Sequence, residues 1–139
     1  MFAEILVAVD GSEYANRALE MARELATRYN ARLRVMHAYP AVSDLLGYGE
    51  IERIVAERTR AGQAILDAAL ERLQGSGLDV RLELLEGPEA EAVLNVAHTR
   101  RCDLIVVGSR GRSRLEGLLV GSVAQKIIHH ARCPVLVVR

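Results

Sequence analysis

Asp103-Leu104-Ile105-Val106-Val107-Gly108-Ser109-Arg110-Gly111, then nine residues, then Gly121-Ser122, is the stretch from which the fold of this chain can be read. An apolar run enters a loop that carries four of the chain's eleven glycines, and a helical pattern (Val123, Ala124, Ile127, Ala131) leaves it. A strand therefore hands over to a helix N-terminus here. At such a junction unpaired backbone N–H groups and the positive end of the helix dipole point at one spot, and glycine lets the backbone approach a ligand with no Cβ in the way. Phosphate is the natural guest. Ser122 is expected to cap the helix and to donate to that phosphate, while Arg110, Arg112 and Arg114 add mobile positive charge. Neither Gly-x4-Gly-Lys-Ser/Thr nor Gly-x-Gly-x-x-Gly occurs anywhere in the chain, so the spacing carries the reading. On these residues alone the plainer alternative stays open: glycines that end a strand and start a helix, beside arginines on a solvated surface.

Outward from this loop the chain alternates strand and helix, the pattern of a parallel sheet wrapped by helices. Ile5 to Val9 is continuously apolar, as expected of a central strand covered on both faces. Asp10-Gly11-Ser12 turns the chain into a helix with Ser12 as cap, a buried stripe of Ala18, Leu19, Ala22, Leu25, Ala26 and Tyr29, and Asn30 as its left-handed end. Asp10 lies at the carboxyl end of the first strand, where open α/β sheets collect ligands; a turn aspartate bonding its own backbone is the alternative. Leu33 to Ala38 forms the second strand, with His37 read as a hydrogen-bonded, partly buried histidine rather than a base. Tyr39 to Gly49 has no periodicity and reads as an irregular connection over the sheet's carboxyl edge, or a lid.

Ile51, Ile54, Val55, Ala61, Ile65, Ala69 and Leu73 line one face of a long helix stopped by Gly75-Ser76-Gly77. Strict alternation through Val80-Arg81-Leu82-Glu83-Leu84 marks an edge strand. Gly87-Pro88 then serves as cap and first helical residue of a short helix that buries Ala90, Val93, Leu94 and Ala97. The last strand, Val135 to Val138, follows Pro134. The result is a five-stranded, doubly wound parallel sheet of the α/β class.

At 139 residues, half of them hydrophobic, the chain fits one domain spanning 1–139. A net charge of zero argues against a nucleic-acid or membrane-surface binder, which usually carries a basic excess. No charged-then-apolar leader precedes the first strand, and no apolar run approaches the ~18 residues of a membrane span, so a soluble, cytoplasmic protein is expected. Cys102 and Cys133 lack any CxxC or metal spacing and read as reduced core or near-core thiols.

The segment from Asp103 through Gly121-Ser122 to Cys133-Pro134-Val135-Leu136-Val137-Val138, together with Ile5-Leu6-Val7-Ala8-Val9-Asp10-Gly11-Ser12 and Ala18-Leu19, resembles the universal stress protein family, in the branch whose glycine spacing accompanies ATP binding. The resemblance covers essentially the whole chain. It implies a Rossmann-like sheet in the order 3-2-1-4-5 and an adenine nucleotide, ATP with Mg2+, at the carboxyl ends of strands one and four. The implied contacts are Asp10, Gly11, Ala38 (whose backbone would pair with adenine), Gly108, Ser109, Arg110, Gly111, Arg112, Gly121, Ser122 and Val123, with Asp10 beside the metal.

It also implies a homodimer. The residues agree, because Val135, Leu136, Val137 and Val138 make an outer strand that no charge, bulge or internal proline protects. No nucleophile–base pair or second carboxylate accompanies Asp10, so the expected function is an ATP-binding regulatory or stress-response module with at most slow hydrolysis. A weak hydrolase or phosphotransferase, a cyclic AMP or AMP binder, and a dimeric interaction protein with a vestigial pocket are the alternatives.

Overall fold

The apolar run near the start of the chain forms β1 (Glu4–Ala8), one residue earlier than Ile5 to Val9, and the remaining elements follow in strict alternation: α1 (Glu13–Tyr29), β2 (Arg32–Tyr39), α2 (Tyr48–Arg72), β3 (Val80–Glu86), α3 (Glu89–Thr99), β4 (Leu104–Gly108), α4 (Ser122–His130) and β5 (Val135–Val138). The structure, a computed structural model, describes residues 1–111 and 120–139. All strand pairs are parallel, and the sheet order is β3-β2-β1-β4-β5, as expected. The switch point of the winding lies between β1 and β4, where Ile5 pairs with Leu104 and Val7 with Val106.

Because side chains alternate across a strand, the central strands feed two cores. Ile5, Val7, Leu33, Val35 and Val106 meet Ala18, Leu19, Ala22 and Leu66 of α1 and α2. Leu6, Met36, Ile105 and Val107 meet Val93, Ala97, Ala124 and Ile127 of α3 and α4. This double coverage explains why β1 and β4 read as unbroken apolar runs. Below the second core, Arg34 is 8% exposed and is held by Glu4 and Glu83, each at 2.9 Å.

The first helix is capped as anticipated: Ala15 N–H donates to Ser12 Oγ at 3.2 Å, and Asn30 ends it in the left-handed region at φ 53°. Its predicted stripe runs one residue too far. Tyr29 is 41% exposed and packs edge-on against Phe2 at the sheet's rim, because the helix is already leaving the core there. In α2 the buried residues are Gly62, Leu66 and Ala69, whereas Ala61 is exposed. Gly62 makes the close approach to the sheet, since a Cβ there would lie 2.7 Å from Leu84 Cδ1 and 3.0 Å from His37 Cδ2. Pro88 is the N-cap of α3 rather than its first helical residue, its ψ of 145° being extended. Likewise Gly121, not Ser122, caps α4: Gly121 has ψ 165° and Ser122 lies inside the first turn. Among the described residues no helix is long and apolar enough to cross a membrane.

Candidate functional site

The carboxyl ends of β1, β2 and β4 enclose a cleft of about 320 Å3. Each wall follows from a local rule. After β1, Val9 N–H still bonds to the Met36 carbonyl at 2.8 Å, and the chain then turns through Gly11 at φ 83°, a conformation that favours glycine. That turn aims Asp10 into the cleft. Its Oδ1 accepts the Ser12 N–H at 2.9 Å, the bond of a turn aspartate, while Oδ2 faces the β4 loop.

From β4 the backbone reaches the cleft through Gly108 and Ser109. Gly108 is needed for packing: a Cβ on it would lie 2.9 Å from the Tyr14 backbone carbonyl carbon, so α1 could not lie this close to β4. Ser109 is buried, and its N–H donates to the Val138 carbonyl at 2.7 Å while its carbonyl accepts the Gly121 N–H at 2.6 Å. The first bond ties the loop's entry to the end of β5, and the second pins its entry to its exit. A Cβ on Gly121 would approach the Ser109 carbonyl to 3.3 Å. The N-terminus of α4 thus opens into the cleft, with no side chain bonded as its cap. Its first-turn N–H groups are of the kind that anions satisfy.

The third wall is β2. Ala38 lines the cleft, and so does His37, whose Nδ1 lies 2.7 Å from the Val9 carbonyl. A carbonyl can only accept, so Nδ1 carries the proton and the ring is held as part of the wall. Glu89, the first residue of α3, and Pro40 also border the cleft.

Of the residues expected at the site, Asp10, Ala38, Gly108, Ser109, Arg110, Gly111, Gly121, Ser122 and Val123 line this one cleft. Gly11 stands beside it and shapes the turn instead. Arg112 and Arg114 lie outside the described residues. Sequence reasoning missed Glu89. The available signal was the Gly87-Pro88 helix start, after which a first-turn carboxylate is favoured by the dipole. Among the described residues no three His, Cys, Asp or Glu side chains gather to hold a metal. Among the described residues the cleft therefore offers backbone donors, Arg110 and two separate carboxylates, Asp10 and Glu89, a set suited to holding a phosphorylated ligand.

Residues 1–139 match the profile of the universal stress protein family. A universal stress protein of Thermus aquaticus is 41% identical over 139 residues, covering 100% of both chains. Among solved structures, the universal stress protein UspA from Lactobacillus plantarum superposes with a TM-score of 0.85 at 26% identity, over 99% of this chain and 98% of that one. A universal stress protein in complex with cAMP superposes with a TM-score of 0.78 at 27% identity, over 99% of this chain and 97% of that one. With the profile match and the Thermus relative both running the full length of the sequence, this chain belongs to the universal stress protein family.

Proposed function

We propose that the cleft binds ATP with Mg2+ and that the protein acts as a nucleotide-responsive regulatory module. The observation that carries this reading is the cradle between Asp10, Gly111 and Gly121. A Cβ on Gly111 would lie 2.7 Å from Asp10 Oδ2 and one on Gly121 would lie 3.3 Å from the Ser109 carbonyl, so a side chain at either position would displace Asp10 or crowd the loop in front of α4. Backbone N–H groups of Ser122 and Val123 would take phosphate oxygens, the Gly121 N–H being held by the Ser109 carbonyl, and Arg110 would add charge-assisted bonds. Ala8, Ala15, Ala38 and Val107 supply small apolar walls for a base.

The residues also suit the metal. Mg2+ keeps most of its waters and is held through one or two carboxylates plus phosphate oxygens, a demand that Asp10 alone can meet. Bound there, Mg2+ would neutralise phosphate charge that Asp10 would otherwise repel. His37 is committed to the Val9 carbonyl through Nδ1 and stays a wall residue. Without a positioned base, hydrolysis should run well below the roughly 10 per second of dedicated enzymes.

Cyclic AMP is the second reading, favoured by the solved relative in complex with cAMP. The protein works as a homodimer in this proposal, paired through β5. Release and identification of the nucleotide that co-purifies with the protein separates the two ligands. ATP or its hydrolysis product ADP supports the first reading, and cAMP replaces it with the second.

A further inference from the structure

At the opposite end of the sheet from the nucleotide cleft, a second and larger cleft of about 860 Å3 lies where α3 and α4 both end. Arg101, Arg132, His98 and His130 line it, and no carboxylate does. Elsewhere among the described residues Arg17, Arg28, Arg32, Arg53, Arg81, Arg100 and Lys126 each meet a carboxylate, while Arg23 and Arg58 are held by backbone carbonyls. Among the described residues Arg101 and Arg132 meet none. Asp103, whose charge reaches both thiols of the wall, and Glu91, whose charge reaches His130, do not line the cleft and are engaged already, Glu91 by Lys126 at 2.8 Å and Asp103 by the backbone N–H groups of Ala3 and Glu4 at 2.8 and 3.2 Å.

Two other chemistries were available to this cleft, and the structure argues against both. Cys102 and Cys133 form part of its wall, but burial pushes the Cys102 thiol up to about 12 and raises Cys133 as well, which keeps both protonated and poorly nucleophilic. Nor do the two thiols and two imidazoles gather as metal ligands. What remains is positive charge. The carbonyl ends of two helices contribute roughly half a negative charge each. Two guanidinium groups exceed that by about one full charge, and Asp103, whose charge reaches the thiols of the wall, is the carboxylate that offsets part of it.

Arg101 carries a further mark. It occupies the left-handed region at φ 53°, just past the end of α3, where glycine or asparagine is the ordinary residue and an arginine costs roughly 1 kcal/mol. The backbone gains nothing from an arginine there, whereas its side chain supplies charge to the cleft.

We propose that this cleft is a second ligand site, independent of the nucleotide cleft, which takes a small phosphate-bearing anion with Arg101 and Arg132 as its charged partners. His98, His130 and the Asn95 amide border the same cleft and can hydrogen-bond the remaining oxygens. A site this open to solvent should hold inorganic phosphate with a Kd on the order of 1 mM and weaken with added salt.

The test is a titration of the full-length chain with inorganic phosphate, followed by amide chemical shifts and set against chloride at matched ionic strength. The expected result is saturable shifts at Thr99, Arg101, Cys102 and Cys133. Arg101→Gly relieves the backbone, so it should melt no lower than the parent while binding phosphate about tenfold more weakly. Arg132→Gln should weaken binding similarly. Responses at Gly111 and Gly121 report the nucleotide cleft separately and should be unchanged in both variants. Shifts no larger than with chloride, or an undiminished affinity in both variants, would overturn the proposal.

Discussion

A Cβ on Gly111 would stand 2.7 Å from Asp10 Oδ2, so the loop after β4 is fitted to the carboxylate of the turn after β1. The two residues come from opposite ends of the chain and meet because β1 and β4 are neighbours in the sheet. Gly111→Ala is therefore expected to push the Asp10 side chain aside. That carboxylate is the free end of a side chain and can yield, so the fold should lose less than about 1 kcal/mol while Mg-ATP binding drops by at least tenfold. Calorimetry of the variant against its melting temperature checks the split.

Gly108 has the opposite profile, although it belongs to the same motif. The atoms a Cβ would meet, at 2.9 to 3.0 Å, are the Tyr14 backbone and its Cβ, none of which can rotate away. Gly108→Ala should cost about 1–3 kcal/mol of stability by prising α1 from β4, measured as a lower urea midpoint with an unchanged slope. A variant as stable as the parent would show that the helix and strand can part freely.

The homodimer proposed through β5 makes a prediction at one atom. Ile105 N–H donates to the Pro134 carbonyl and Ser109 N–H to the Val138 carbonyl, so even-numbered residues of β5 face β4. By alternation Val135 and Val137 turn their N–H and C=O groups outward. Val137→Pro thus removes an outward donor and spares the bonds to β4. Light scattering at micromolar concentration should give about twice the chain mass for the parent and a shift towards one chain mass for the variant. A monomeric parent sinks the dimer.

Alkaline stability should track Cys102. Burial raises its thiol from 9.0 to about 12, so the folded state holds this proton after the unfolded chain has released it. The stabilisation is complete below pH 9 and is lost as pH climbs towards 12. Cys102→Ala should flatten that part of a stability profile recorded between pH 8.5 and 10.5, a window that spans the ordinary thiol value of 9.0. An unchanged slope there would mean another group carries the alkaline limb.

The alternation of strand and helix around a parallel sheet was legible because apolar runs bounded by glycine, serine and asparagine report strands and caps directly. The sheet order, and with it the meeting of Asp10 with the glycine loop, followed instead from the family resemblance, since apolar runs do not say which strands are neighbours. Three features were not legible. Gly62 is silent in a hydrophobic pattern, since its contribution is the absence of a side chain where α2 crosses Leu84 and His37. The helix start at Ser122 was misjudged by one residue, because a glycine can occupy the cap as readily as a serine and only ψ distinguishes them. The cationic cleft draws on the ends of two helices and two loops whose residues share no motif, so only the fold brings Arg101 to Arg132.

The central claim, that the Asp10–Gly111–Gly121 cradle binds ATP with Mg2+, is tested most directly by titrating Mg-ATP into nucleotide-free protein in a calorimeter, beside Gly121→Val as the control. The account predicts saturable binding of one nucleotide per chain by the parent. Ligand at about a hundred times its Kd should then raise stability by roughly 2.7 kcal/mol, and the variant should show neither effect. No heat and no thermal shift from the parent at millimolar Mg-ATP would contradict it.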